Sequence, residues 1–234
     1  MAGHTPNLIN LGKVTTIKGV LRELQRLNKS LDDVDLGQFK LFNNSYYIVT
    51  TSVQQAIKDN YFENPRFIEK FIVTFARYYF KAVVDTNNES PVLTLAWSKV
   101  NEYATNKSAP KFISLLLGAS AHINNDLPQV LNSLMKNEDT EDLLSDIVKI
   151  DRLLMDSGKQ IINTFEESNK VLDFLKRRLQ FMYYRPAMYT IRYWRIIAWK
   201  NYRKLKKQPS YIQSITNRSV KIANRWLRLS RLLS

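Results

Sequence analysis

Apolar residues recur along this chain every three or four positions, the spacing that gathers one face of an α-helix. Ile17, Val20, Leu21, Leu24 and Leu27 form a first stripe. Tyr46, Val49, Val53 and Ile57 form a second, with residues 32–44 expected to loop between them. Phe67, Ile68, Phe71, Ile72, Phe75, Tyr78, Tyr79 and Ala82 make a third stripe, broad enough for a central helix. Leu93, Trp97, Val100 and Tyr103 define a fourth. Residues 112–127 read as a fifth helix, continued by residues 130–136 beyond a kink or break at Pro128. Leu143, Ile147, Ile150 and Leu154 mark the next, and residues 161–182, 186–206 and 210–233 complete the set. Pro65, Pro91, Pro110 and Pro186 each sit where a helix can begin, because proline at the first helical position forfeits no internal hydrogen bond. Asn64 and Ser90 precede two of them as N-caps. No alternating pattern lasts long enough for a strand, and only six glycines argue against a turn-rich β protein. The expected fold is all-α, a single-domain helical bundle of roughly eight to ten helices.

The predicted division is a flexible tail over residues 1–13, a helical domain over 14–207, and a basic amphipathic helix over 208–234. A chain of 234 residues that is 44% hydrophobic can bury a substantial core. It holds no cysteine, which excludes disulfides, thiolate metal sites and a cysteine nucleophile. Residues 1–15 carry no apolar signal-peptide core, and the longest apolar stretch is too short to span a bilayer, so a soluble, cytoplasmic protein is expected. Charge is unevenly placed. Residues 176–234 hold 16 Lys and Arg and no Asp or Glu, whereas the first 175 residues carry a net charge of −2. Such a block faces an anion or neutralises an acidic surface elsewhere in the fold.

The candidate chemistry lies in the run Gly118-Ala119-Ser120-Ala121-His122-Ile123-Asn124-Asn125-Asp126-Leu127-Pro128. His122 and Asp126 are one helical turn apart and share a face. Pro128 cannot donate to the carbonyl of Asn124, so the helix is expected to kink or end where these polar residues gather. Two readings stand side by side. Asp126 orients the imidazole as a general base beside a cavity, or it caps a new helix with His122 a satisfied core residue. Metal binding is disfavoured, since the other histidine is His4 in the tail and di-iron Glu-x-x-His pairs are absent. No cofactor is expected, for no P-loop, dinucleotide fingerprint or Gly-x-Ser-x-Gly elbow occurs. Asp142, Asp146, Asp151 and Asp156 recur further on; Asp146 borders the apolar stripe, and the others read as a solvated face.

This run resembles an uncharacterised helical family of bacteria and fungi whose members share Leu-Leu-Gly-x-x-Ala-His-Ile-Asn-x-Asp-Leu-Pro. Asn64-Pro65, Phe75-Ala76, Tyr79-Phe80 and the Arg192, Arg195, Ala198, Trp199 set are similar on the flanks, so the resemblance covers about residues 35–205. Ser120 departs from the pattern, where Asn is commoner, as does the basic C-terminal extension. The family has no assigned activity. The resemblance implies that His122, Asn124 and Asp126 form a site without naming its chemistry.

Near the C-terminus, aromatic and basic residues interleave, and Arg192, Arg195 and Trp199 fall on one helical face. Two guanidiniums there either clamp an anion or pair with a buried acid such as Asp126 or Asp146. Farther on, Ile222, Trp226, Leu229 and Leu233 form a stripe flanked by Arg218, Lys221, Arg225 and Arg228, able to dock on the domain or to meet an anionic surface. The expected function is binding of a small anionic or amphipathic molecule, with proton transfer at His122 if the protein is an enzyme. His122 and Asp126 are the expected catalytic pair. Asn124, Arg192 and Arg195 are expected to hold the ligand, Trp97 and Tyr79 to wall the pocket, and Asp146 and Trp199 to lie behind it. The alternative is a non-enzymatic interaction protein whose helix over 208–234 meets nucleic acid or anionic membrane. The sequence does not set the oligomeric state.

Overall fold

The apolar stripes lie on helices in the computed structural model, which describes residues 8–104, 111–135, 141–163 and 170–233, though the single helix expected over 161–182 is divided between two. The order is α1 (Ile17–Ser30), α2 (Lys40–Lys58), α3 (Pro65–Asn87), α4 (Leu95–Ala104), α5 (Lys111–Ser120), a π-helical turn (Ala121–Asp126), α6 (Leu127–Leu134), α7 (Glu141–Asn163), α8 (Lys170–Lys207) and α9 (Ile212–Leu233). The π turn joins α5 to α6 without a break, so eight separate helices stand among the described residues, with no strand. The chain is a single-domain all-α bundle.

The broad stripe of α3 is central because it is apolar on more than one side. Phe71, Phe75, Tyr79 and Phe80 are all buried, each worth roughly 1.5–3 kcal/mol of removal from water. α1 packs on α2, α2 on α7, and α6 on α8, while α9 covers α4, α5 and the π turn. Thr16 caps α1, its hydroxyl accepting from the Gly19 N–H at 3.1 Å.

Several boundaries differ from the sequence expectation. Residues 40–44 are not loop. α2 starts at Lys40 because Asn43 is satisfied inside the helix, donating to the Leu24 carbonyl at 2.8 Å and to Asn28 Oδ1 at 2.6 Å. Pro91 lies in a turn, and α4 begins at Leu95, where the Thr94 carbonyl accepts from the N–H groups of Trp97 and Ser98. Pro186 sits inside α8 rather than at a helix start. It is exposed, so its ring does not disturb the core. Pro110, His4 and residues 1–7 of the expected tail lie outside the described residues, as does the side chain of Asp142. Residues 8–13 are not free: Leu8 and Ile9 are buried in the core and Leu11–Lys13 form a 3-10 turn.

In α9 the buried line is Ile215, Ser219, Ala223, Leu227 and Ser230. Ile222 and Trp226 of the expected stripe are partly buried and pack against the core beside this line, while Leu229 is left exposed. The side chain of Leu233 lies outside the described residues.

Candidate functional site

The π turn follows from the sequence around Pro128. Without an amide hydrogen, Pro128 cannot close the normal turn onto the Asn124 carbonyl. The Leu127 N–H reaches back five residues to the His122 carbonyl, and the helix widens locally. All six residues of the turn are buried. In place of the expected kink or break, the helix continues through a widened turn.

That turn brings His122 Nδ1 to 3.1 Å from Asp126 Oδ2. The same oxygen accepts the indole N–H of Trp97 at 2.9 Å, and Asp126 Oδ1 accepts from Asn125 Nδ2 at 2.8 Å. Asp126 has only acceptors to offer here, so the imidazole proton sits on Nδ1 and the Nε2 lone pair is left free. Nε2 is buried and has no hydrogen-bond partner.

Aromatic rings enclose the imidazole. Phe75 stacks on it at 3.5 Å and 6°, and Phe42, Tyr46 and Tyr79 meet it edge-on at 5.7, 5.1 and 6.2 Å. Trp97 completes the cluster at 6.1 Å. Gly118 makes room for it: a Cβ there would lie 2.8 Å from Phe42 Cγ and 3.0 Å from Phe42 Cβ. His122 is 3% exposed. Burial holds its pKa below the ordinary value, with the Arg195 charge in the same direction and the hydrogen bond and charge of Asp126 opposing. Burial, and then the negative charge of Asp126, push the Tyr46 phenol well up, so it stays a hydroxyl. Its oxygen is also buried without a partner. The chemistry on offer is a neutral imidazole with a buried, unpartnered acceptor and a phenolic donor on a neighbouring ring.

The predicted site residues separate into two groups. His122, Asp126, Trp97 and Tyr79 come together, with Trp97 a hydrogen-bond donor and not only a wall. Tyr79 donates to Asn43 Oδ1 at 3.1 Å. Asn124 donates to Ser120 Oγ at 3.2 Å, and its Oδ1 is buried without a partner. Arg192, Asp146 and Trp199 lie elsewhere, and Arg195 reaches the imidazole only through its charge. Arg192 is exposed. Arg195, 8% exposed, pairs through Nε with Asp151, an acid expected on a solvated face, leaving Nη2 buried without a partner. Asp146 is fully buried, but it accepts the backbone N–H groups of Glu63 at 2.9 Å and Asn64 at 2.6 Å, ahead of α3. Trp199 packs on Tyr202 with Arg203 over its ring.

Sequence reasoning missed Tyr46 and Phe75, read only as core, and placed Asn125 at the turn without a role; its Oδ1 accepts the Thr216 hydroxyl of α9 at 3.0 Å. Among the described residues no three His, Asp or Glu side chains gather as a metal set. An open groove of about 580 Å³ between α2 and α7, lined by Tyr47, Thr51, Gln55, Leu153 and Gln160, includes none of the predicted site residues.

The fold and this centre define an all-helical protein with a buried His–Asp pair on a π turn. The chain matches the family of unknown function DUF5995 over residues 17–231 and belongs to it. The match takes in the basic C-terminal helix, which is therefore part of the family domain and not an extension to it. No curated protein and no solved structure matches the chain.

Proposed function

We propose that the chain binds a small, uncharged amphipathic molecule at His122, its hydroxyl group donating to Nε2 and accepting from the Tyr46 hydroxyl. What carries this reading is one pairing: the Nε2 acceptor and the Tyr46 hydroxyl are both buried and unpartnered on rings 5.1 Å apart. Leaving two such groups unmet costs about 1–3 kcal/mol each, which a ligand or water between them recovers. An anionic ligand fits less well, because Arg192 is exposed and the Asp126 carboxylate lies beside the imidazole. Aromatic walls suit an apolar body. If the bound group is acidic enough, Nε2 is the base that takes its proton, with Asp126 holding the ring.

Nitrogen-15 NMR of the His122 ring tests this with phenol and cyclohexanol as probes and toluene as the control lacking a hydroxyl. Phenol or cyclohexanol should move the Nε2 resonance in the wild type, toluene should not, and Tyr46→Phe should weaken the response. An Nε2 that is protonated, or that ignores both probes, would overturn the reading.

A further inference from the structure

We infer that the outward face of α8 seats on an anionic membrane surface. Tyr189, Tyr193 and Ile196 project outward, 56, 60 and 47% exposed. Arg192, Lys200, Arg203 and Lys204 are exposed on the same side. At about 100° per residue these side chains occupy one arc roughly 120° wide, running on the order of 20 Å along the helix. The opposite arc, with Ile191, Trp194, Ala198 and Tyr202, is buried. α8 therefore has a complete core-facing side, and its outward tyrosines and isoleucine contribute nothing to the interior.

The charge on this face is not spent within the fold. Residues 176–234 contain no acid, and among the described residues Arg192, Lys200, Arg203 and Lys204 make no ion pair with an acid. Arg203 lies over the Trp199 ring at 5.7 Å and Lys204 over Tyr211 at 5.4 Å, which holds their stems without cancelling their charge.

The mixture points to lipid rather than to a nucleic acid. Basic side chains alone serve either, but an exposed Ile196 beside two exposed tyrosines gains nothing from phosphates. At a bilayer it enters the acyl boundary, the tyrosine rings sit at headgroup depth, and the long basic side chains reach back to anionic headgroups. Among the described residues no helix is long and apolar enough to cross a membrane, so the contact is peripheral.

Sedimentation of the full chain with phosphatidylcholine vesicles, with and without about 30% phosphatidylserine, tests the inference. The chain should bind only the anionic vesicles and release as salt rises. Lys200→Glu with Arg203→Glu should weaken binding about tenfold or more, and Tyr193→Ser with Ile196→Ser should weaken it at unchanged charge. Arg218→Glu with Arg225→Glu, on the exposed side of α9, should change it about twofold at most. All six positions are exposed, and circular dichroism verifies that each variant keeps its helices. Failure to bind anionic vesicles overturns the inference. So does binding that survives the α8 changes but not the α9 changes, or tighter binding to a single-stranded oligonucleotide than to vesicles.

Discussion

The indole N–H of Trp97 donates to Asp126 at 2.9 Å, onto the same oxygen that faces His122. Asp126 is thereby held from α4 and from within the π turn at once. The arrangement predicts that Trp97→Phe, which keeps most of the ring packing but removes the donor, destabilises the fold by about 1.5–3 kcal/mol, the range for a buried hydrogen bond to a carboxylate. Urea denaturation of the two proteins measures it. A loss of a few tenths would mean that Asp126 does not depend on the indole.

Gly118 offers a prediction of sign. Alanine is ordinarily better than glycine inside a helix by about 0.5–1 kcal/mol. Here the added methyl meets Phe42 at its Cβ and Cγ, the root of the side chain, which cannot swing aside without moving α2. Gly118→Ala should therefore destabilise, by about 1–3 kcal/mol. A thermal melt showing gain in place of loss would mean the α2–α5 contact yields easily.

Much of this was legible in the sequence. The period of the apolar residues gives the helices, and Pro128 with its polar neighbours marks the irregular turn. The His122–Asp126 contact follows from their spacing. What sequence could not supply were partners from distant helices. Tyr46 and Phe75 look like any core aromatics until α2 and α3 are set around the π turn. Arg195 finds Asp151 and not Asp126 or Asp146, because the α7–α8 crossing, not the residue types, decides the pair. Asp146 appeared poised for the site since it borders an apolar stripe, yet the backbone amides ahead of α3 claim both its oxygens. In α9 the expected Ile222 and Trp226 do pack on the core, but the small buried residues beside them, Ser219, Ala223 and Ser230, carry no hydrophobic signal.

Thr216 ties α9 to the site through Asn125, which in turn donates to Asp126. Replacing Thr216 by Val keeps the shape and removes the donor. Stability should fall by about 0.5–1.5 kcal/mol, and the His122 ring resonances should shift although residue 216 does not touch the imidazole. Unchanged ring resonances would show that Asn125 holds Asp126 without help from α9.

The buried imidazole also sets a pH dependence. Burial lowers its pKa from the ordinary value of about 6.5, against the hydrogen bond and charge of Asp126 and together with the positive charge of Arg195. The unfolded chain takes up a proton near pH 6.5 that the folded chain refuses, so protonation favours unfolding. The His122 contribution is thus fully present above about pH 6.5 and is lost as pH falls from there toward the lower folded value, by at most about 1.4 kcal/mol per pH unit. His122→Asn retains a donor for Asp126 and cannot titrate. Its stability should change less than that of the wild type between about pH 7.5 and pH 5.5, while exposed carboxylates affect both proteins alike. Denaturant midpoints across that range measure the difference. Parallel curves for the two proteins would show that the imidazole takes up its proton as readily folded as unfolded, and that the rings around it leave more access to water than the packing indicates.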